Sequence, residues 1–196
     1  MLRLFLSFLI LAGLQAQAKA DCSEELKGIL KRVLNSGPFH VDGKMSAKSH
    51  DSVLSADMNP PDAMHTRITT GNKTVEMMKI GPKFWTNDGK AWHQMPEAYG
   101  AMAGKMTTSL EDIAPDYVQG AQCLGEKTVD GQTYLAYSFK LDMQGGLFSA
   151  QGMLYVDPKT NLLARQIIDG EIFGIKNHTE KQFTFDPSIK IEPPPK

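Results

Sequence analysis

Residues 39–48, FHVDGKMSAK, alternate with a period of two: Phe39, Val41, Gly43, Met45 and Ala47 fall on one side, His40, Asp42, Lys44, Ser46 and Lys48 on the other. Successive side chains of an extended chain point to opposite faces, so this stretch predicts a strand with one dry and one wet face. Such strands belong to antiparallel sheets that turn one face to a core. The same pattern spreads outward. Residues 51–58 set Leu54, Ala56 and Met58 on one side. Residues 63–70 and 74–80 read as a hairpin around Gly71-Asn72. Gly81-Pro82 and Asp88-Gly89 bound two short aromatic strands, 83–87 and 90–94. Further along, Leu135, Tyr137, Phe139, Leu141 and Met143 alternate with Tyr134, Ala136, Ser138, Lys140 and Asp142. Residues 148–156 turn through Asp157–Asn161 into 162–169, and Gly170 leads to 171–185.

Two segments switch to a helical period. In residues 21–36, Leu26, Ile29, Leu30, Val33 and Leu34 share one helical face, and Asn35-Ser36-Gly37-Pro38 ends the run. In residues 96–110, Tyr99, Met102, Ala103, Met106 and Leu110 do the same, although Gly100 and Gly104 weaken that helix by roughly 1 kcal/mol each. The expected order is one helix, about six strands, one helix and about four strands, in a single mainly β (α+β) domain over residues 21–187. A long antiparallel sheet must bury its dry face, and curling it around helices on its concave side does so economically. Residues 188–196 hold three consecutive prolines and read as an extended tail.

The first twenty residues read as a removable secretion signal. Arg3 supplies the positive start, Leu4–Leu14 the apolar run, and Ala16-Gln17-Ala18 and Ala18-Lys19-Ala20 two small-x-small cleavage sites. The rival reading, a membrane anchor, needs about 20 apolar residues, and this run is much shorter. No later segment is apolar enough to cross a bilayer, so no stable membrane insertion is expected. Cleavage near Ala18 or Ala20 leaves a net acidic chain without a basic block, which argues against nucleic acid as partner.

Both cysteines, Cys22 and Cys123, lie in the exported part, where disulfides persist. A bridge would close a loop of about 100 residues and contribute 4–5 kcal/mol in the chain-entropy model. Buried free thiols or a redox pair are the alternatives, and the absence of Cys-x-x-Cys favours the bridge.

Three stretches then carry a resemblance. Residues 61–67, PDAMHTR, are similar to a "PD-x-x-R" strand start. Residues 74–85, TVEMMKIGPKFW, followed by 89–92, GKAW, resemble a "VE-x-I-x-IG-x-x-x-Y…G-x-W" run, and residues 155–162, YVDPKTNL, resemble a "W-V-D-P-x-T-G-L" turn. These are features of the LolA-like superfamily of bacterial envelope proteins, which includes the lipoprotein carriers LolA and LolB and the lipid-binding LppX and LprG group. The similarity covers most of residues 37–185, and its motifs are turn and strand signatures rather than catalytic ones. It implies a periplasmic protein with an incomplete β-barrel whose apolar cavity binds acyl chains. Two departures stand out: His65 occupies the position where many members carry Arg, with Arg67 two residues on, and no lipobox precedes Cys22.

On that implied fold, Trp85, Trp92, Tyr99, Met102, Met106, Phe139 and Leu141 are the candidate cavity residues, and Arg67 and Arg165 the candidate polar contacts. For the tryptophans, plain sheet packing is the rival reading. For Arg165, the alternation leaves open a wet-face position, a headgroup contact or a partner carboxylate. Ten methionines remain after cleavage. Core filling explains most of them, a cavity for flexible chains is a second reading, and Cu(I) binding a third that no Met-x-Met or His-x-Met cluster supports. The five histidines lack metal-ligand spacing, and the chain has no Gly-x-Ser-x-Gly, His-Glu-x-x-His or phosphate loop. The expected function is therefore carriage of a lipid or acylated lipoprotein, with no cofactor, metal or catalysis. The alternative is an interaction module of the same fold bound to an envelope protein, as a stress sensor or assembly subunit.

Overall fold

The computed structural model describes residues 22–48, 50–96, 118–143, 148–172 and 174–195. The secretion signal and the second helix expected over 96–110 lie outside the described residues, save Pro96. One helix, α1 (Ser23–Asn35), precedes six strands: β1 (Phe39–Ala47), β2 (His50–Asn59), β3 (Ala63–Thr70), β4 (Lys73–Ile80), β5 (Lys83–Asn87) and β6 (Trp92–Gln94). Five more follow: β7 (Val118–Val129), β8 (Gln132–Met143), β9 (Phe148–Val156), β10 (Leu163–Ile172) and β11 (Ile175–Phe185). The second half thus holds one strand more than the periodicity indicated. The extra strand, β7, is paired to β8 through Asp130-Gly131, both at positive φ (52° and 79°). That is the backbone of a tight hairpin turn, which Asp-Gly adopts readily.

All eleven strands form one antiparallel sheet in the order β6-β5-β4-β3-β2-β1-β11-β10-β9-β8-β7. Two meanders, one from each half of the chain, are stitched together by the β1–β11 pairing of Phe39–Ala47 with Phe185–Asn177. The sheet is not closed, so the architecture is a curled, incomplete β-barrel with a helix on its inner side.

The alternation of β1 is realised as read. Phe39 and Val41 are buried, whereas Asp42 and Lys44 are exposed. Helix α1 lays Leu26, Ile29, Leu30 and Val33 onto the concave face against β7 and β10. Each of these side chains is at most 3% exposed, and burying one is worth about 1.5–3 kcal/mol. They join Phe39, Val41, Leu54, Leu154, Val156, Leu163 and Phe183 in one core.

Candidate functional site

Helix α1 covers one end of the concave face, and the sheet register decides what is left at the other. There Ala47, Asn177, Gly170, Ala150 and Leu141 stand side by side across β1, β11, β10, β9 and β8. Three of the five, Ala47, Gly170 and Ala150, are small. The open hollow at this end, about 780 Å³, is lined mainly from the outer face, by the row Ser46, His178, Asp169, Gln151 and Lys140 across the same five strands. Ligand sites commonly measure about 300–1,000 Å³. Leu141 and Ala150 pack into the core on the inner face, 3% and 6% exposed, while the charged side chains at the hollow, Lys140, Lys176, Asp169 and Glu171, face outward.

Helix α1 is tied to the sheet by two groups. Cys22, just ahead of α1, is bonded to Cys123 of β7 across a sequence separation of 101, with the Cα atoms 5.6 Å apart. The Tyr137 hydroxyl of β8 donates to Glu25 Oε1 of α1 at 2.6 Å. Burial and the adjacent carboxylate push the Tyr137 phenol well above its ordinary value, so it remains a donor at any physiological pH.

Deeper in the concavity is a polar row. Gly43, Lys181, Gln166, Leu154 and Tyr137 are successive partners across β1, β11, β10, β9 and β8. Gln166 is 1% exposed and Lys181 6%. Neither Nε2 nor Oε1 of Gln166 has a hydrogen-bond partner. A buried amide left so costs about 1–3 kcal/mol.

The convex face is built differently, from histidines held by carboxylates. His40 Nδ1 bonds Asp57 Oδ1 at 2.6 Å, His65 Nε2 bonds Glu76 Oε2 at 2.9 Å, and His178 Nδ1 bonds Asp169 Oδ1 at 2.7 Å. The second nitrogen of His178 lies 3.2 Å from Glu180 Oε1. Hydrogen bonds from Asp169 and then Glu180 raise the His178 pKa, with burial opposing. For His40 burial works downward, but the bonds to Asp57 and Asp42 outweigh it and the pKa is raised.

The structure separates the candidate residues. Phe139 and Leu141 lie on the concave face, 2% and 3% exposed, and Leu141 lines the hollow. Trp85 and Trp92 lie on the opposite, convex face. Trp85 is the ladder partner of Met78, itself paired with His65, and the Trp92 ring lies 5.8 Å from the His65 ring. Their neighbour Phe84 takes the concave position instead, 2% exposed. Both arginines are also convex. Arg67 donates to Glu76 at 3.0 Å. Arg165 donates to Asp130 at 2.8 Å and Glu180 at 3.0 Å, so a partner carboxylate is what it meets. A register shift between Leu163 and Arg165 puts Leu163 in the core while its expected companion Arg165 faces out. Tyr99, Met102 and Met106 lie outside the described residues.

No family model and no curated protein sequence matches the chain. Solved structures do. The lipoprotein LppX of Mycobacterium tuberculosis superposes with a TM-score of 0.56 at 13% identity, over 82% of this chain and 94% of that one. LprF from Mycobacterium bovis gives 0.56 at 15%, over 88% and 97%. MucB, in its complex with MucA from Pseudomonas aeruginosa, gives 0.51 at 15%, over 84% of this chain but 57% of that one.

The chain shares their fold. The LolA-like half-barrel implied by the three sequence stretches is the architecture observed, and at these identities the likeness concerns architecture alone.

Sequence reading missed Gln166 and Lys181, because polar residues beside Arg165 and Glu180 read as parts of wet faces. It also missed the outward row Ser46, His178, Asp169, Gln151 and Lys140 at the hollow, which comes together only when the strand order is known.

Proposed function

We propose that this chain is an exported carrier that holds an acyl chain, free or attached to a larger molecule, against the concave face of its half-barrel. That face is the observation that carries the reading: an unclosed, curled sheet whose inward side chains, Phe39, Val41, Leu54, Phe139, Leu154 and Phe183 among them, are apolar. Burying hydrocarbon yields roughly 0.8 kcal/mol per methylene, which is ample for carriage without covalent chemistry. The Cys22–Cys123 disulfide supports a site of action in an oxidising compartment, in line with removal of the first twenty residues and work in the periplasm. LppX is itself a lipoprotein, which supports an envelope setting for this fold.

Catalysis fits the arrangement poorly. Ser46 stands opposite His178 in the β1–β11 register, and Asp169 holds the histidine, the outline of a nucleophile with a base. Both ring nitrogens of His178 are bonded to carboxylates, however, so neither is left to take a proton from Ser46.

The second reading, a protein-interaction module, draws on MucB, whose structure is that of a complex with MucA. The two are separated by titrating the purified protein with a fluorescent C11–C18 acyl probe. Saturable binding that unlabelled oleate displaces supports the carrier. No binding, together with one stoichiometric protein partner from the envelope, supports the module.

A further inference from the structure

We infer that Cys22, Cys123 and Glu25 form a binding site for a zinc-like, thiophilic divalent cation when the disulfide is opened, so that a metal ion ties α1 to β7 in the reduced chain as the bridge does in the oxidised one. The inference stands apart from the carrier reading. One ligand atom from each of the three residues lies within 4.8 Å of the other two. Cys22 is the N-cap of α1, Glu25 follows in the first turn, and Cys123 reaches both from β7 across a sequence separation of 101 from Cys22. Cys22 is 2% exposed, whereas Glu25 and Cys123 are exposed, so a reductant and a cation both reach the group from solvent.

The Glu25 carboxylate is already set for this work. Tyr137 donates to its Oε1 at 2.6 Å, and its Oε2 lies 3.4 Å from Cys123 Sγ. A tetrahedral zinc ion, with Zn–S of about 2.3 Å and Zn–O of about 2.1 Å, holds a sulfur and an oxygen ligand about 3.6 Å apart. The carboxylate oxygen thus stands at ligand spacing from the sulfur, and the Tyr137 hydroxyl is the outer partner that orients it. Two thiolates and a carboxylate are a donor set that suits zinc, with water in the fourth position. Opening the bridge takes two electrons and two protons from a dithiol, which leaves as its own disulfide. The cation then displaces the two thiol protons, which pass to water. In the site the sulfurs stand about 3.8 Å apart, which rotation about the two Cα–Cβ bonds accommodates with the Cα atoms 5.6 Å apart.

The test opens the bridge of the purified protein with a phosphine, which leaves no competing thiol, and adds Co2+ as the spectroscopic stand-in for zinc. The reduced wild type is expected to bind Co2+ with the near-ultraviolet absorption of cobalt–thiolate bonds, and Zn2+ to abolish that absorption. The oxidised protein should show none. E25Q and Y137F should each weaken binding about tenfold or more, the first by removing a ligand and the second by releasing its outer partner. Hydrogen exchange is read on the wild type alone, so it decides even if a variant fails to fold. There Zn2+ should restore the protection of Ser23–Asn35 that reduction removes. Reduced protein without the thiolate absorption, an E25Q titration identical to that of the wild type, or α1 exchange that Zn2+ leaves unchanged overturns the site, and each leaves the carrier reading standing.

Discussion

The ring of Phe139 lies across Gly152 on the neighbouring strand so closely that a Cβ on Gly152 would fall 2.0 Å from ring Cζ. Glycine is required there by contact rather than by backbone twist. Its bare Cα lets a large aromatic side chain lie flat in the bend of the sheet, one inward position from Leu141 in the core.

Gly152→Ala is therefore expected to force Phe139 off its seat. Overpacking of this kind costs about 1–3 kcal/mol. For a domain of this size that lowers the melting midpoint by about 2–4 °C per kcal/mol. A thermal melt followed by circular dichroism checks it. Phe139→Ala alone should cost about 3–5 kcal/mol, and because it removes the atoms in conflict, the double variant should lose less than the sum of the two single losses.

Reducing the Cys22–Cys123 bond frees a loop of 101 residues. The chain-entropy model assigns that closure about 4–5 kcal/mol. Denaturant midpoints with and without dithiothreitol should differ accordingly. Hydrogen exchange should rise first in Ser23–Asn35, the helix the bond pins to β7.

Tyr137→Phe removes the hydroxyl that reaches Glu25 from the sheet. Glu25 is exposed and can turn to water, so the loss should lie near the ordinary net value of a hydrogen bond, about 1 kcal/mol. Urea unfolding of the single variant measures it. A loss several times larger would mean that the bond does more than hold α1 in place.

How far the sequence led can be judged from particular residues. The inward set of β1 and the buried face of α1 were legible because each repeats within one element, at 2.0 or 3.6 residues. The β3–β4 hairpin was legible from Gly71-Asn72. Strand β7 was not, because its Val118–Val129 run alternates poorly, although Asp130-Gly131 is a hairpin signal that could have found it. Trp85 was misplaced because Phe84 and Trp85 are adjacent aromatics on a five-residue strand, and period alone cannot say which of two faces is dry. Arg165 escaped through the irregularity after Leu163, which resets the alternation. The hollow and the Gln166–Lys181 row are products of strand order. Residues more than a hundred positions apart, such as Ala47 and Asn177, become neighbours only through the β1–β11 pairing.

The convex histidines set a pH dependence. His40 and His178 have folded pKa values raised above the ordinary 6.5, so they bind a proton more tightly folded than unfolded. Their contribution to stability is complete below pH 6.5 and is lost as pH rises through the raised folded values. Melting midpoints of the wild type should fall across that interval. The double variant His40→Gln/His178→Gln should show a flatter profile there.

The central claim is that the concave face of the half-barrel carries an acyl chain, and native mass spectrometry of the protein purified from its producing envelope tests it most directly. The account predicts a fraction of molecules heavier by the mass of a lipid, which organic extraction removes. A bare protein mass from every preparation, with no uptake of added oleate, would contradict it.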